Sequence, residues 1–204
     1  YQGVGLLEDY ALNGAGFYAV FVALVPTGFA GLMDELRQNP SPDGVGPAEH
    51  IAYLRIALTS VVVLCGVLFA REAASGRLRQ LLRPVPGPPA ATWVNRAFLL
   101  LTAVLLAGFL ALAMGQLWLV PADQVTMAGV TLGPVQLAIH DLAAILLIAS
   151  LAVAVLTNTW PFYRFADLWS AGRFFYLVIF GLMTLGALVP VLVARAFAPD
   201  NLVI

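Results

Sequence analysis

Within the long apolar runs of this 204-residue sequence, four ionisable side chains draw the eye: His50, Arg55, His140 and Asp141. An ionisable group in hydrocarbon is expensive, so it is kept for pairing or for function. Arg55 follows Pro47 by eight residues and Asp141 follows Pro134 by seven. At a rise of ~1.5 Å per residue, each lies roughly 10 Å along its helix. If those two helices run in the same direction, Arg55 and Asp141 are expected to form a structural ion pair. The only two histidines belong to the same layer, each beside a carboxylate in Glu49-His50 and His140-Asp141.

These residue types suit three chemistries. Two imidazoles from facing helices are the axial ligand set of haem b, with Arg55 placed to pair a propionate. His50 and His140 with a carboxylate also suit a divalent metal such as zinc, copper or iron. A quinone headgroup is the third ligand class, since an imidazole can hydrogen-bond a quinone carbonyl and pass a proton to water. The plainer readings are a solvated end-cap for His50 and helix packing for His140. Neighbouring helix positions point about 100° apart, so His140 and Asp141 cannot both face one ligand. His50 and Arg55 are expected on adjoining faces of one helix, opening onto a single cavity. Thr27, Tyr53 and Gln116 are expected in the same layer.

Several chemistries have no motif here. The sequence contains no glycine-rich phosphate loop, nucleophile elbow, zinc-protease helix or paired-cysteine redox motif. Its one cysteine, Cys65, excludes an internal disulfide framework. All ten basic residues are Arg, against eleven acidic ones, and a net charge of -1 argues against nucleic acid as a partner.

The elements that must hold these residues are transmembrane helices. With 61% hydrophobic and 10% charged residues and a mean hydropathy of +0.92, the chain lacks the ~25% charge of a soluble domain. A span needs roughly 20 apolar residues. Five segments meet that length: 11–33, 47–70, 97–120, 134–157 and 174–194. The expected fold is an all-α integral membrane protein, a single domain over 1–204 forming a bundle of five transmembrane helices with short loops. Pro26-Thr27-Gly28 should kink the first span. Pro47 and Glu49 should open the second, as a first-turn proline and an acid at the positive helix end. A basic amphipathic extension is expected after the second span, where Arg77, Arg79 and Arg83 alternate with Leu78, Leu81 and Leu82. Alanines at four-residue spacing, Ala11-Ala15-Ala19-Ala23, allow close helix packing.

Arginine placement orients the bundle, because basic residues near span ends stay on the cytoplasmic side. Arg71, Arg77, Arg79, Arg83, Arg96, Arg164 and Arg173 flank one side, and Arg37 and Arg195 the other. The amino terminus is then inside and the carboxyl terminus outside, in a bacterial inner membrane. Trp118, Trp160, Phe162, Tyr163 and Trp169 become interfacial anchors. The sequence opens at Tyr1; a cleaved secretory leader ahead of it would reverse the orientation. The leading functional expectation is a membrane subunit of an electron-transfer or quinone-linked complex of respiratory type. It would bind haem b or a quinone through His50, His140 and Arg55, with lipid and other subunits as partners. A non-catalytic structural subunit is the alternative. A metal or small-cation carrier ranks third, on the strength of the acidic loop holding Asp34, Glu35, Asp43 and Glu49.

Overall fold

A computed structural model of the chain describes residues 6–39, 46–83, 89–132, 135–157, 171–189 and 193. These residues are mostly helical. In chain order they form α1 (Leu6–Leu24), α2 (Phe29–Gln38), α3 (Pro47–Ala74), α4 (Arg77–Leu82), α5 (Pro89–Leu119), β1 (Ala128–Leu132), β2 (Val135–Ala138), α6 (Ile139–Thr157) and α7 (Ala171–Met183). Four segments are long and apolar enough to cross a membrane: Leu7–Gln38 taken through its break, Pro47–Ala74, Thr92–Leu119 and Ile139–Thr157. The fifth expected span is a shorter apolar helix among the described residues, α7 running into a π-helical turn at Thr184–Leu188. Pro190, Ala194, Arg164, Arg195, and the aromatic anchors Trp160, Phe162, Tyr163 and Trp169 lie outside the described residues.

The first expected span, 11–33, is divided. Helix α1 stops at Leu24, Pro26 brings no N–H to continue the ladder, and Gly28 turns through the left-handed region at φ 67°. The helix beyond the break, α2, is amphipathic. Phe29 and Met33 are buried, Leu32 and Leu36 pack against the same core, and Asp34, Glu35 and Arg37 are exposed. The fourth expected span is shortened at its start. Residues 135–138 form β2, paired antiparallel with β1, and α6 begins only at Ile139. His140 and Asp141 are therefore the second and third residues of α6, in its first turn.

Two contacts fix α1 and α6 as antiparallel. His140 meets Val25 at one end, and a Cβ placed on Gly14 would lie 3.6 Å from the Ser150 hydroxyl further along. Buried Ala11 and Ala15 on α1, and Ala143, Ala152 and Ala154 on α6, let the two backbones approach closely. This pair makes the most extensive helix contact in the fold. Helix α1 also presents Phe17, Tyr18 and Phe21 to Phe109 of α5. Ring centroids are 4.8 Å apart for Phe21–Phe109 and 5.3 Å for Tyr18–Phe109, both edge-on.

The end of α1, the start of α3, the end of α5 and the start of α6 share one end of the bundle. There α2, a 3-10 turn at Ala122–Gln124 and the β1–β2 hairpin form a cap. Arg37 of α2 bonds both Asp34 and the backbone carbonyl of Asp123, tying α2 to the 3-10 turn. The most completely buried side chains gather under this cap, among them Met33, Ile51, Leu117, Val125, Met127 and Ile139. At the opposite end α3 stands apart from the bundle, with Val67, Leu68 and Phe69 at 61%, 54% and 55% exposure.

Candidate functional site

The four ionisable residues all lie near the cap end, but each serves a different local purpose. Arg55 is expected to meet Asp141, and the structure gives it other partners. Helix α5 ends at Leu119, and the last four carbonyls of any α-helix have no partner within it. The Arg55 guanidinium donates from Nε to the Leu117 carbonyl at 2.7 Å and from Nη2 to the Val120 carbonyl at 3.2 Å. Its carbon lies 5.3 Å from the centre of the Trp118 ring, within cation–π range. The Trp118 indole N–H in turn donates to Thr59 on α3 at 3.2 Å. A cation at the negative end of a helix is also favoured by the dipole. Arg55 is thus a C-terminal cap for α5 supplied from α3.

Asp141 works at the start of its own helix. One carboxylate oxygen accepts the Ala138 backbone N–H at 3.1 Å, which satisfies a donor left over at the helix start. The two side chains also start from different depths in their helices. Counting from Pro134 places Asp141 about two turns into a helix, whereas α6 begins two residues before it. Arg55 lies roughly 12 Å into α3, eight residues after Pro47.

His140 reaches across to α1. Its Nδ1 lies 2.5 Å from the Val25 carbonyl oxygen, a group stranded because α1 breaks at Pro26. A carbonyl can only accept, so Nδ1 carries a proton and is the donor. The imidazole is half-buried. Removing it in His140→Leu is expected to lower stability by about 1.5 kcal/mol, because the Val25 carbonyl loses its partner. Thermal unfolding in a mild neutral detergent checks this, and His140→Gln, whose amide can still donate, should recover part of the loss.

His50 is exposed on the first turn of α3. That turn forms as the sequence requires: Pro47 begins it and the Glu49 carboxylate accepts the Gly46 N–H at 3.2 Å. Five residues of α-helix turn through about 500°, so His50 and Arg55 point about 140° apart. The expectation is a single cavity holding both. His50 instead lines a groove of about 400 Å³ with Tyr53, Leu54 and Ala57 of α3, Ala23 and Leu24 of α1, Pro26 of the break, and Phe29 and Leu32 of α2. Positions 50, 53, 54 and 57 form one helical stripe. The groove is mainly apolar, with an imidazole and a phenol as its polar side chains. Neither Arg55 nor His140 lines it.

Among the described residues, no group of three or more His, Cys, Asp or Glu side chains is placed to hold a metal ion. Tyr53 is legible in the sequence as a neighbour of His50. The apolar walls from α1 and α2 are not, because they depend on the break after Leu24. Compared with family models, with curated proteins and with solved structures, the chain has no match.

Proposed function

We propose that this chain is an integral membrane subunit of a quinone-linked electron-transfer complex, and that the groove between α1, α2 and α3 takes the quinone headgroup. The observation behind this reading is the groove's chemistry. An apolar trough of about 400 Å³ at the end of the bundle carries one imidazole, His50, and one phenol, Tyr53. Binding sites for small amphiphiles have this make-up, an apolar lining with a few placed polar groups. An imidazole at the rim can donate to a quinone carbonyl and exchange protons with water. Haem b fits the arrangement less well, since it needs two imidazoles facing one space and the groove holds one. With the arginine-rich end of the bundle inside, the groove opens toward the extracytoplasmic face of a bacterial inner membrane.

The test is quinone binding by the purified full chain. Decylubiquinone should quench tryptophan fluorescence saturably, and His50→Leu should weaken that binding about tenfold, the loss of one well-placed hydrogen bond. Equal affinity in His50→Leu would overturn the reading. A Soret band in the purified protein that disappears in His140→Ala would move the proposal to haem.

A second reading, a structural subunit of a larger membrane assembly, is favoured by the uncovered apolar surface of α3 and α5. Val63, Leu64 and Val67 on α3 and Leu100, Leu101 and Val104 on α5 are all exposed. Under that reading decylubiquinone does not bind, and the chain co-purifies with other membrane subunits in fixed stoichiometry.

A further inference from the structure

The end of the bundle away from the groove carries a second arrangement, independent of the quinone reading. Helix α3 has 28 residues and so extends about 42 Å, against a hydrocarbon layer of ~30 Å. Its last turns must therefore leave the hydrocarbon. The apolar run ends at Phe69-Ala70 and the next residue is Arg71, at the level where headgroups begin. Leu64, Val67 and Leu68 are exposed at 60%, 61% and 54%. Val67 and Leu68 precede Arg71 by four and three positions, and Leu64 by seven, so all share one face of the helix with it. That face is an apolar stripe ending in a guanidinium.

Beyond it the chain turns at Ser75-Gly76, where the Ser75 hydroxyl donates to the Glu72 carbonyl at 2.6 Å. Helix α4 then begins at Arg77, whose guanidinium reaches back to Glu72 at 3.4 Å. This pair closes the elbow and occupies one of its four arginines. Arg71, Arg79 and Arg83 are exposed beside it. Counting Arg71, Glu72, Arg77, Arg79 and Arg83, the elbow carries a net +3, offset in part by Glu8 and Asp9 in the first turn of α1 at the same end. The cap end has the opposite sign: Asp34, Glu35, Glu49 and Asp123 are exposed there with Arg37.

We infer that the α3–α4 elbow is a binding site for an anionic phospholipid, its phosphate met by Arg71, Arg79 and Arg83 and its acyl chain laid along Leu64, Val67 and Leu68. Guanidinium is the side chain best matched to phosphate oxygens. Basic residues beside a membrane span attract anionic headgroups roughly additively, and three of them give a preference over neutral lipid on the order of a hundredfold at low salt. The uncovered stripe supplies the part of the site that a free phosphate has no use for.

The experiment titrates the full chain in neutral detergent with dioleoyl phosphatidylglycerol, dioleoyl phosphatidylcholine or inorganic phosphate, following the thermal transition and counting retained lipids by native mass spectrometry. Phosphatidylglycerol should be retained and should raise the transition temperature at concentrations where the other two do neither. Arg71→Gln, Arg79→Gln and Arg83→Gln together should abolish this preference, and Arg37→Gln at the cap should leave it intact. If the triple variant does not accumulate, each single variant should show a partial loss in the same titration. Equal effects of the two lipids, a preference that survives the substitutions, or an equal loss in Arg37→Gln would overturn the proposal. A full effect from inorganic phosphate would overturn its lipid part.

Discussion

Arg55→Met is expected to lower the stability of the folded bundle by about 3 kcal/mol, while Asp141→Asn costs less than about 1 kcal/mol. The first figure comes from two hydrogen bonds donated by a charged group, each contributing about 1.5 kcal/mol. Those bonds run to Leu117 and Val120, and Trp118 lies over the same guanidinium. Methionine fills similar volume but leaves both carbonyls without that donor. The second figure is small because the asparagine amide oxygen can still accept the Ala138 N–H that Asp141 accepts now. Arg55→Lys should recover about half the loss, since an ammonium keeps the charge at the helix end but not the fork of donors. Equilibrium unfolding with increasing dodecyl sulfate in mixed micelles measures all three. A loss in Asp141→Asn as large as that in Arg55→Met would restore the ion pair that the sequence suggests.

The hairpin gives the other large effect. Strands β1 and β2 are interrupted by a bulge between Ala128 and Val130, and the residue at the bulge is Gly129. A Cβ there would lie 2.2 Å from the Leu137 carbonyl oxygen and 3.0 Å from the Ala138 carbonyl carbon. Both are backbone atoms, so no side-chain rotation relieves the clash. Gly129→Ala should therefore force the strands apart, at about 3 kcal/mol, the upper part of the usual range for overpacking. The damage should spread to α6, because the Ile139 N–H that starts that helix donates to the Met127 carbonyl at 3.0 Å. Dodecyl sulfate unfolding should show the loss, and limited proteolysis should show new cleavage between 120 and 138. Gly108→Ala is the control. Its Cβ would meet nothing within 4 Å, and alanine is the better helix former by up to ~1 kcal/mol, so that variant should be unchanged or more stable.

The helices long and apolar enough to cross a membrane are legible because bilayer thickness sets the length of an apolar run, and Pro47–Ala74 and Ile139–Thr157 stand out on that ground alone. The cap is harder to read, though its signals are present. Phe29, Leu32, Met33 and Leu36 are spaced for one face of a helix. Charged Asp34 and Glu35 fall between them and Arg37 follows, so α2 carries an amphipathic pattern rather than the end of a span. Val135 and Leu137 alternate with Gln136 after a Gly133-Pro134 pair, a hairpin signature that a first-turn proline imitates. Reading Pro134 as a helix start places Asp141 deeper in its helix than α6, which begins at Ile139, has it. The sequence places His50, Arg55, His140 and Asp141 at one end of the bundle. It does not show that Arg55 and His140 are taken up by carbonyls, because those carbonyls are exposed only by the ends of α5 and α1.

The seam between α1 and α6 has a consequence for how the chain assembles. The Val25–His140 contact joins residues 115 positions apart, so α1 is synthesised long before its principal neighbour. Between the two come α3 and α5, which meet α1 far less extensively than α6 does. Until α6 is made, the alanine face of α1 has no partner from that helix, and the seam closes when α6 docks against it.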